Sequence, residues 1–234
     1  MSALLQVNDI HTYIGQFHIL EGVDFEVQEG EIVALLGRNG AGKTTTLKSI
    51  VGLTPPRTGA VVFDGNDLRG EHSFDIAARG IGFVPEDRVI FRTLSVEENL
   101  RLAEREKGDL DRKSDFIFGL FPDLKRLIKL PGTNLSGGQQ QMLAVARALV
   151  PDNRLLLIDE PSEGLAPVLI EQMMEAIKEL SAHSTVLLVE QNFIVASRLA
   201  SRFVIIEEGS SVMKGEMADL VGDQDTIRKY LGAV

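Results

Sequence analysis

The stretch GRNGAGKT, Gly37 to Thr44, constrains this 234-residue chain more than any other. It fits the pattern G-x-x-x-x-G-K-[ST], with the apolar run EIVALLG (31–37) before it and KTTTLKSIVG after it. A continuous aliphatic run of that length reads as a strand buried on both faces. In the segment that follows, Leu47, Ile50 and Val51 recur at helical spacing, and Gly52 with Pro55 and Pro56 ends the helix. Strand, glycine-rich loop and helix in that order make a phosphate-binding element. Gly37, Arg38, Asn39, Gly40, Ala41 and Gly42 let the backbone curl so that successive N–H groups point inward at phosphate oxygens. The helix N-terminus adds partial positive charge, Lys43 reaches the β- and γ-phosphates, the Thr44 hydroxyl is placed for Mg²⁺, and Thr45 follows it.

Strand-like and helix-like segments alternate around this element. AVVFDG (60–65) reads as a strand closed by an Asp-Gly turn, and IGFVPE (81–86) as a strand ended by proline. RLLLIDE (154–160), STVLLVE (184–190) and RFVIIEEG (202–209) read as further strands, and DTIRKYLG as a short closing helix. Leu169, Ile170, Met173, Met174, Ile177 and Leu180 form one helix face, with Pro167 near its start. From about Asp87 to Leu135 the sequence is charged and helical without strands. The expectation is an α/β core, 1–86 and 136–234, with a helical insertion at 87–135, all within one 1–234 domain.

Composition narrows the function. Hydrophobic content of 44% and charged content of 25% suit a globular protein, and no apolar stretch approaches the roughly 20 residues that span a bilayer. The start, MSALLQVNDI, shows no secretory signal. With no cysteine, disulfides and thiolate metal sites are excluded. A net charge of −10 disfavours nucleic acid as a partner.

Two more stretches carry chemistry. In LLLIDE, Asp159 ends an apolar strand where a carboxylate can hold Mg²⁺ through water, and Glu160 is placed to polarise an attacking water as general base. Taken alone, an Asp-Glu pair at a strand end is a helix cap or a solvated turn; downstream of a phosphate loop the functional reading is the stronger. In LSGGQQQMLAVARAL (135–149), Ser136 is an N-cap candidate, and Gly137 and Gly138 leave backbone N–H groups free for an anion. The helix that follows has Met142, Leu143, Ala146, Leu149 and Val150 on its apolar face.

LSGGQ with the phosphate loop upstream and LLLIDE downstream resembles the ATP-binding cassette (ABC) family over essentially the whole chain. The resemblance implies a RecA-like phosphate-loop core, an antiparallel β subdomain and an inserted helical subdomain. It also implies ATP and Mg²⁺ as cofactors and a head-to-tail dimer of cassettes. In such a dimer Ser136, Gly137, Gly138 and Gln139 act on the partner's ATP. The aromatic residue that stacks on adenine matches Tyr13, with one extra residue before Leu20 and with Phe17 as the rival stacker. VPEDRVIF…LSVEENL (84–100), DEPSEGLAP (159–167), LLVEQN (187–192) and the YLG ending look like the LivF-type subunit of branched-chain amino-acid importers. Importers of amides or urea have similar cassettes. That type implies a second, LivG-like cassette, permease subunits in the membrane, a substrate-binding protein, and a peripheral place on the cytoplasmic face of the inner membrane.

Three positions depart from the common cassette pattern: Glu86 stands for glutamine, Ala166 for aspartate and Gln191 for histidine. A carboxylate at Glu86 can still ligate Mg²⁺, Gln191 keeps a donor toward the γ-phosphate, and the trans contact of the aspartate is in doubt at Ala166. By resemblance, Val89, Ile90, Phe91 and Leu94 receive a helix of the permease. A soluble cassette ATPase such as an iron–sulphur assembly scaffold shares the three motifs but not the LivF-like details. A phosphate-loop kinase or GTPase does not need LSGGQ, and no Asn-Lys-x-Asp motif is present.

Overall fold

A computed structural model describes residues 3–232, so Met1, Ser2, Ala233 and Val234 lie outside the described residues. Alternating apolar and polar residues build a long antiparallel hairpin, β1 (Leu5–Ile14) and β2 (Phe17–Val27), which turns at Gly15 and Gln16. Then come β3 (Ile32–Leu36), buried at every residue, and α1 (Lys43–Ile50). β4 (Thr58–Phe63) and the two-residue β5 (Asn66–Asp67) close a tight hairpin. Its central residues, Asp64 at φ 49° and Gly65 at φ 75°, both take the left-handed conformation that such two-residue turns need. α2 (Ser73–Ala78) leads into β6 (Ile81–Val84), which stops before Pro85.

Between 87 and 135 the regular elements are helices, α3 (Val96–Arg101), α4 (Asp109–Leu120), α5 (Pro122–Arg126) and one 3₁₀ turn, joined by irregular segments, with a lone bridge from Ser95 to Pro131. α3 starts on a capping box, in which the Ser95 side chain accepts from Glu98 N–H while the Glu98 carboxylate accepts from Ser95 N–H. α6 (Gly137–Leu149) and β7 (Leu155–Asp159) follow, then α7 (Pro167–Ser181) and β8 (Thr185–Val189). The chain ends through α8 (Phe193–Leu199), β9 (Arg202–Glu207), β10 (Ser210–Glu216), α9 (Met217–Gly222) and α10 (Gln224–Leu231). α2, α8, α9 and the edge strand β10 were not anticipated from sequence.

Two sheets result. One is antiparallel, ordered β2-β1-β4-β5; the other is ordered β10-β9-β3-β8-β7-β6 and is parallel except at β10. β3 shows why its strand is aliphatic throughout. Ala34 and Leu36 pack on the side of α4, α6 and α7, while Val33 and Leu35 pack on the side of α1 and the antiparallel sheet. The expected apolar face of α6 is buried, as are Met173, Met174, Ile177 and Leu180 of α7. Leu169 and Ile170, in the first turn of α7, are only half-buried. The arrangement gathers the carboxyl ends of β3, β7 and β8 side by side, where ligands of open α/β sheets bind.

Candidate nucleotide site

β3 runs directly into the phosphate loop, and the loop is locked from behind. Gly209 N–H donates to the Ala41 carbonyl at 2.9 Å, and a Cβ on Gly37 would lie 2.2 Å from the Ile206 carbonyl oxygen. Only glycine permits that approach. Gly42, at φ 110°, starts α1, whose first turn has no acidic residue to offset its positive end. Lys43 is buried: its Nζ donates to the carbonyls of Gly37 at 3.0 Å and Arg38 at 3.2 Å and pairs with Glu160 Oε1 at 3.4 Å. The Arg38 side chain turns outward and donates to the Lys229 carbonyl of α10, so only its backbone belongs to the loop. A cavity of about 260 Å³ lies over the loop, lined by Asn39, Gly40, Gly42, Lys43, Thr44, Thr45, Glu86, Glu160 and Glu163.

The acidic wall comes from β7 and from the end of β6. Asp159 is fully buried, and both its carboxylate oxygens lack a hydrogen-bond partner among the described residues. Burial pushes its carboxyl above the ordinary range. Such desolvated carboxylate oxygens, with the Thr44 hydroxyl beside them, fit a hard divalent cation. Glu160 has φ 45° and donates its N–H to the Val189 carbonyl at 2.9 Å. The chain then turns, and Glu163 N–H returns to the Glu160 carbonyl at 3.2 Å. Glu86, Glu160 and Glu163 thereby bring carboxylate oxygens within 4.8 Å of one another. Partial burial raises the Glu86 carboxyl, and the charges of Glu160, Glu163 and Asp159 raise it further. Sequence reasoning missed Glu163. The signal was there, since a turn after a strand end brings residue i+3 back beside residue i.

The signature residues lie elsewhere. Ser136 caps α6 in a capping box, accepting from Gln139 N–H while Gln139 Oε1 accepts from Ser136 N–H at 2.9 Å. Gly138 also serves packing, because a Cβ there would meet Leu169 Cδ1 at 2.3 Å. Ser136, Gly137, Gly138 and Gln139 do not line the cavity over the chain's own phosphate loop. Neither does Gln191, which is exposed just past β8, although β8 does lie beside β3 as expected.

Tyr13 is not free to stack. Its ring lies parallel to His18, at 4.2 Å and 4°, and the Arg57 guanidinium sits 3.9 Å from its centroid. The register pairs Thr12 with Leu20, Tyr13 with His18 and Ile14 with Phe17. A register shift between Thr12 and Tyr13 leaves Ile19 of β2 unpaired, whereas β1 alternates, so Ile14, two residues past Thr12, and its partner Phe17 belong to the face of Thr12 and Leu20. That face meets the phosphate loop: Thr12 bonds Ser49 of α1 at 2.9 Å, and Leu20 abuts Gly42. Phe17 is 66% exposed.

Comparison with known proteins agrees with this geometry. The family model described as ABC transporter matches residues 20–163. A high-affinity branched-chain amino acid transport ATP-binding protein, BraG of Pseudomonas aeruginosa, is 41% identical over 232 residues, 98% of this chain and 100% of the relative. The lipopolysaccharide export system ATP-binding protein LptB of Escherichia coli is 32% identical, covering 99% of this chain and 98% of its own length. A dimeric ATP-binding cassette solved in a post-hydrolysis state with ADP and Pi superposes at a TM-score of 0.81, at 25% identity over 91% of this chain and 98% of that one. The chain belongs to the ABC transporter family, and its fold is that of the RecA-like cassette ATPase.

Proposed function

We propose that this chain is the ATP-hydrolysing subunit of an importer for branched-chain or other hydrophobic amino acids. The observation that carries the reading is the end-to-end identity of 41% to BraG, against 32% to LptB. Lys43, Thr44 and Glu160 around one cavity, with Asp159 buried next to Glu160 at the end of β7, support an active enzyme. Phosphate oxygens entering the loop meet the N–H groups before α1 and take Lys43 as their counter-charge. Bound Mg²⁺, held by Thr44 and Asp159 with Glu86 nearby, would neutralise triphosphate charge. Glu160, released by Lys43, orients and deprotonates the attacking water. Gln191, with its amide N–H₂ as donor, serves as the γ-phosphate sensor at the end of β8. Adenine stacks on Phe17 rather than Tyr13.

The signature residues act on the nucleotide of a second cassette packed head to tail, a LivG-like chain. Their absence from the lining of the chain's own cavity supports that division. The membrane permease docks on a groove of about 940 Å³ between the sheet and the 87–135 segment, beside the nucleotide site. Leu53, Phe74, Val89 and Leu102 line it and are at least half exposed, and Arg147 on its wall stacks 5.0 Å from the Phe91 ring. Ile90 and Leu94 are half-buried and support this surface from below. No helix among the described residues is long and apolar enough to cross a membrane. The place of work is then the cytoplasmic face, reached through the permease, with a substrate-binding protein choosing the cargo.

The test is uptake of labelled leucine and valine by cells lacking this chain, complemented with wild type or Glu160→Gln. Wild type restores uptake, and Glu160→Gln lowers it about 10²-fold or more. Uptake that is independent of this chain, with lipid export impaired in its place, would reject the amino-acid reading.

A further inference from the structure

Glu190 follows β8 immediately and is only 2% exposed. A carboxylate so far from water is costly to bury unless hydrogen bonds hold it. Three do. It accepts from Ser162 N–H at 3.2 Å, from the Ser162 hydroxyl at 3.0 Å and from Asn192 N–H at 3.3 Å. Ser162 lies two residues past Glu160, and Asn192 is the residue after Gln191. Burial still pushes the Glu190 carboxyl up to about 7, so the fold keeps this group in place against its own desolvation.

What the clamp restrains is unusual. Glu160 sits at φ 45°, a left-handed conformation that residues with a Cβ adopt only where the surroundings over-determine it. On one side Glu160 N–H is held by the Val189 carbonyl at 2.9 Å. On the other side the chain is held through Ser162 by Glu190. Val189 and Glu190 are consecutive, so the end of β8 grips the Glu160 turn before and after its strained residue.

We propose that Glu190 is a positioning residue for ATP hydrolysis, which clamps Ser162 to the end of β8 and so holds Glu160 in the conformation that aims its carboxylate at the attacking water. The proposal rests on Glu160 being the general base. It also gives β8 a part in the chemistry besides Gln191: a shift at its end is passed to Glu160 through one buried carboxylate.

The test is a double-mutant cycle in the complex with the permease, with Glu190→Ala, Glu190→Gln and Glu160→Gln assayed singly and in pairs. Glu190→Gln preserves volume and one acceptor, so it decides the matter if Glu190→Ala does not fold. Each Glu190 variant lowers kcat at least about tenfold, with KM for ATP within about threefold of wild type. In the Glu160→Gln background the same changes alter the residual rate less than about twofold, because the group they position is gone. Unchanged kcat in Glu190→Gln, or an equal loss in both backgrounds, overturns the proposal. Near wild-type turnover in Glu160→Gln alone would remove the general-base reading, and this proposal with it.

Discussion

Lys43 and Glu160 form an ion pair whose side chains are 4% and 10% exposed. A pair so placed contributes little net stability, because desolvation offsets most of its Coulomb attraction. On the proposed function its value is catalytic: a triphosphate offers Lys43 stronger partners, and the carboxylate is then free to meet water. The same scale carries our reading of the adenine subsite. Both faces of Tyr13 are covered, by His18 and by Arg57, whereas Phe17 is open on the side of the phosphate loop. Base–aromatic stacking is worth about 1–3 kcal/mol, so Phe17→Ala should weaken ATP binding roughly 5- to 150-fold. Tyr13→Ala should stay within about threefold. Equilibrium titration with ATP reads both variants, and a large loss in Tyr13→Ala with none in Phe17→Ala reverses the assignment. The matching position in the sequence favoured Tyr13. The register shift between Thr12 and Tyr13 leaves Ile19 unpaired, and no residue-type signal reveals which aromatic ring faces inward.

At the scale of elements, α6 is the joint between signature and core. Its N-terminus presents Ser136 and Gly137, while Gly138 lets it lie against Leu169 of α7. A methyl group at Gly138 has to displace the Leu169 side chain, an overpacking that costs about 1–3 kcal/mol. Gly138→Ala should therefore lower thermal stability by several degrees in addition to any effect on hydrolysis. A Tm within 1 °C of wild type (roughly 0.25–0.5 kcal/mol by the same scaling) would show that the glycine serves only the anion. The parallel strands, α1, α6 and α7 were legible because each is a continuous aliphatic run or an unbroken apolar stripe. α2, with the sequence SFDIAA, buries only Ile76, and β10 has no buried residue. Periodicity therefore had nothing to report for either. β1 and β2 are strand-like in pattern, yet in the sequence only the resemblance pointed to that sheet.

Across the whole molecule, the residues we assign to phosphate and to the attacking water stand on one side, at the ends of β3, β7 and β8. Lys43, Thr44, Asp159 and Glu160, the residues we assign to the site, stand out in the sequence because phosphate chemistry demands those residue types in a fixed strand-loop-helix context. Glu163 was signalled only by the turn that follows β7, and Glu190 not at all, since its importance arises from a burial that the fold creates. The signature lies away from the chain's own cavity, so on our reading a single chain holds two half-sites and no complete one. The most direct measurement is ATP turnover per chain, followed from micromolar to nanomolar concentration and again after assembly with the partner cassette and permease. Turnover per chain should fall on dilution and rise at least about tenfold on assembly, because oxyanion-type donors worth about 10²-fold or more come from the second subunit. Constant turnover per chain down to nanomolar concentration, with only monomer in solution, would contradict the composite site.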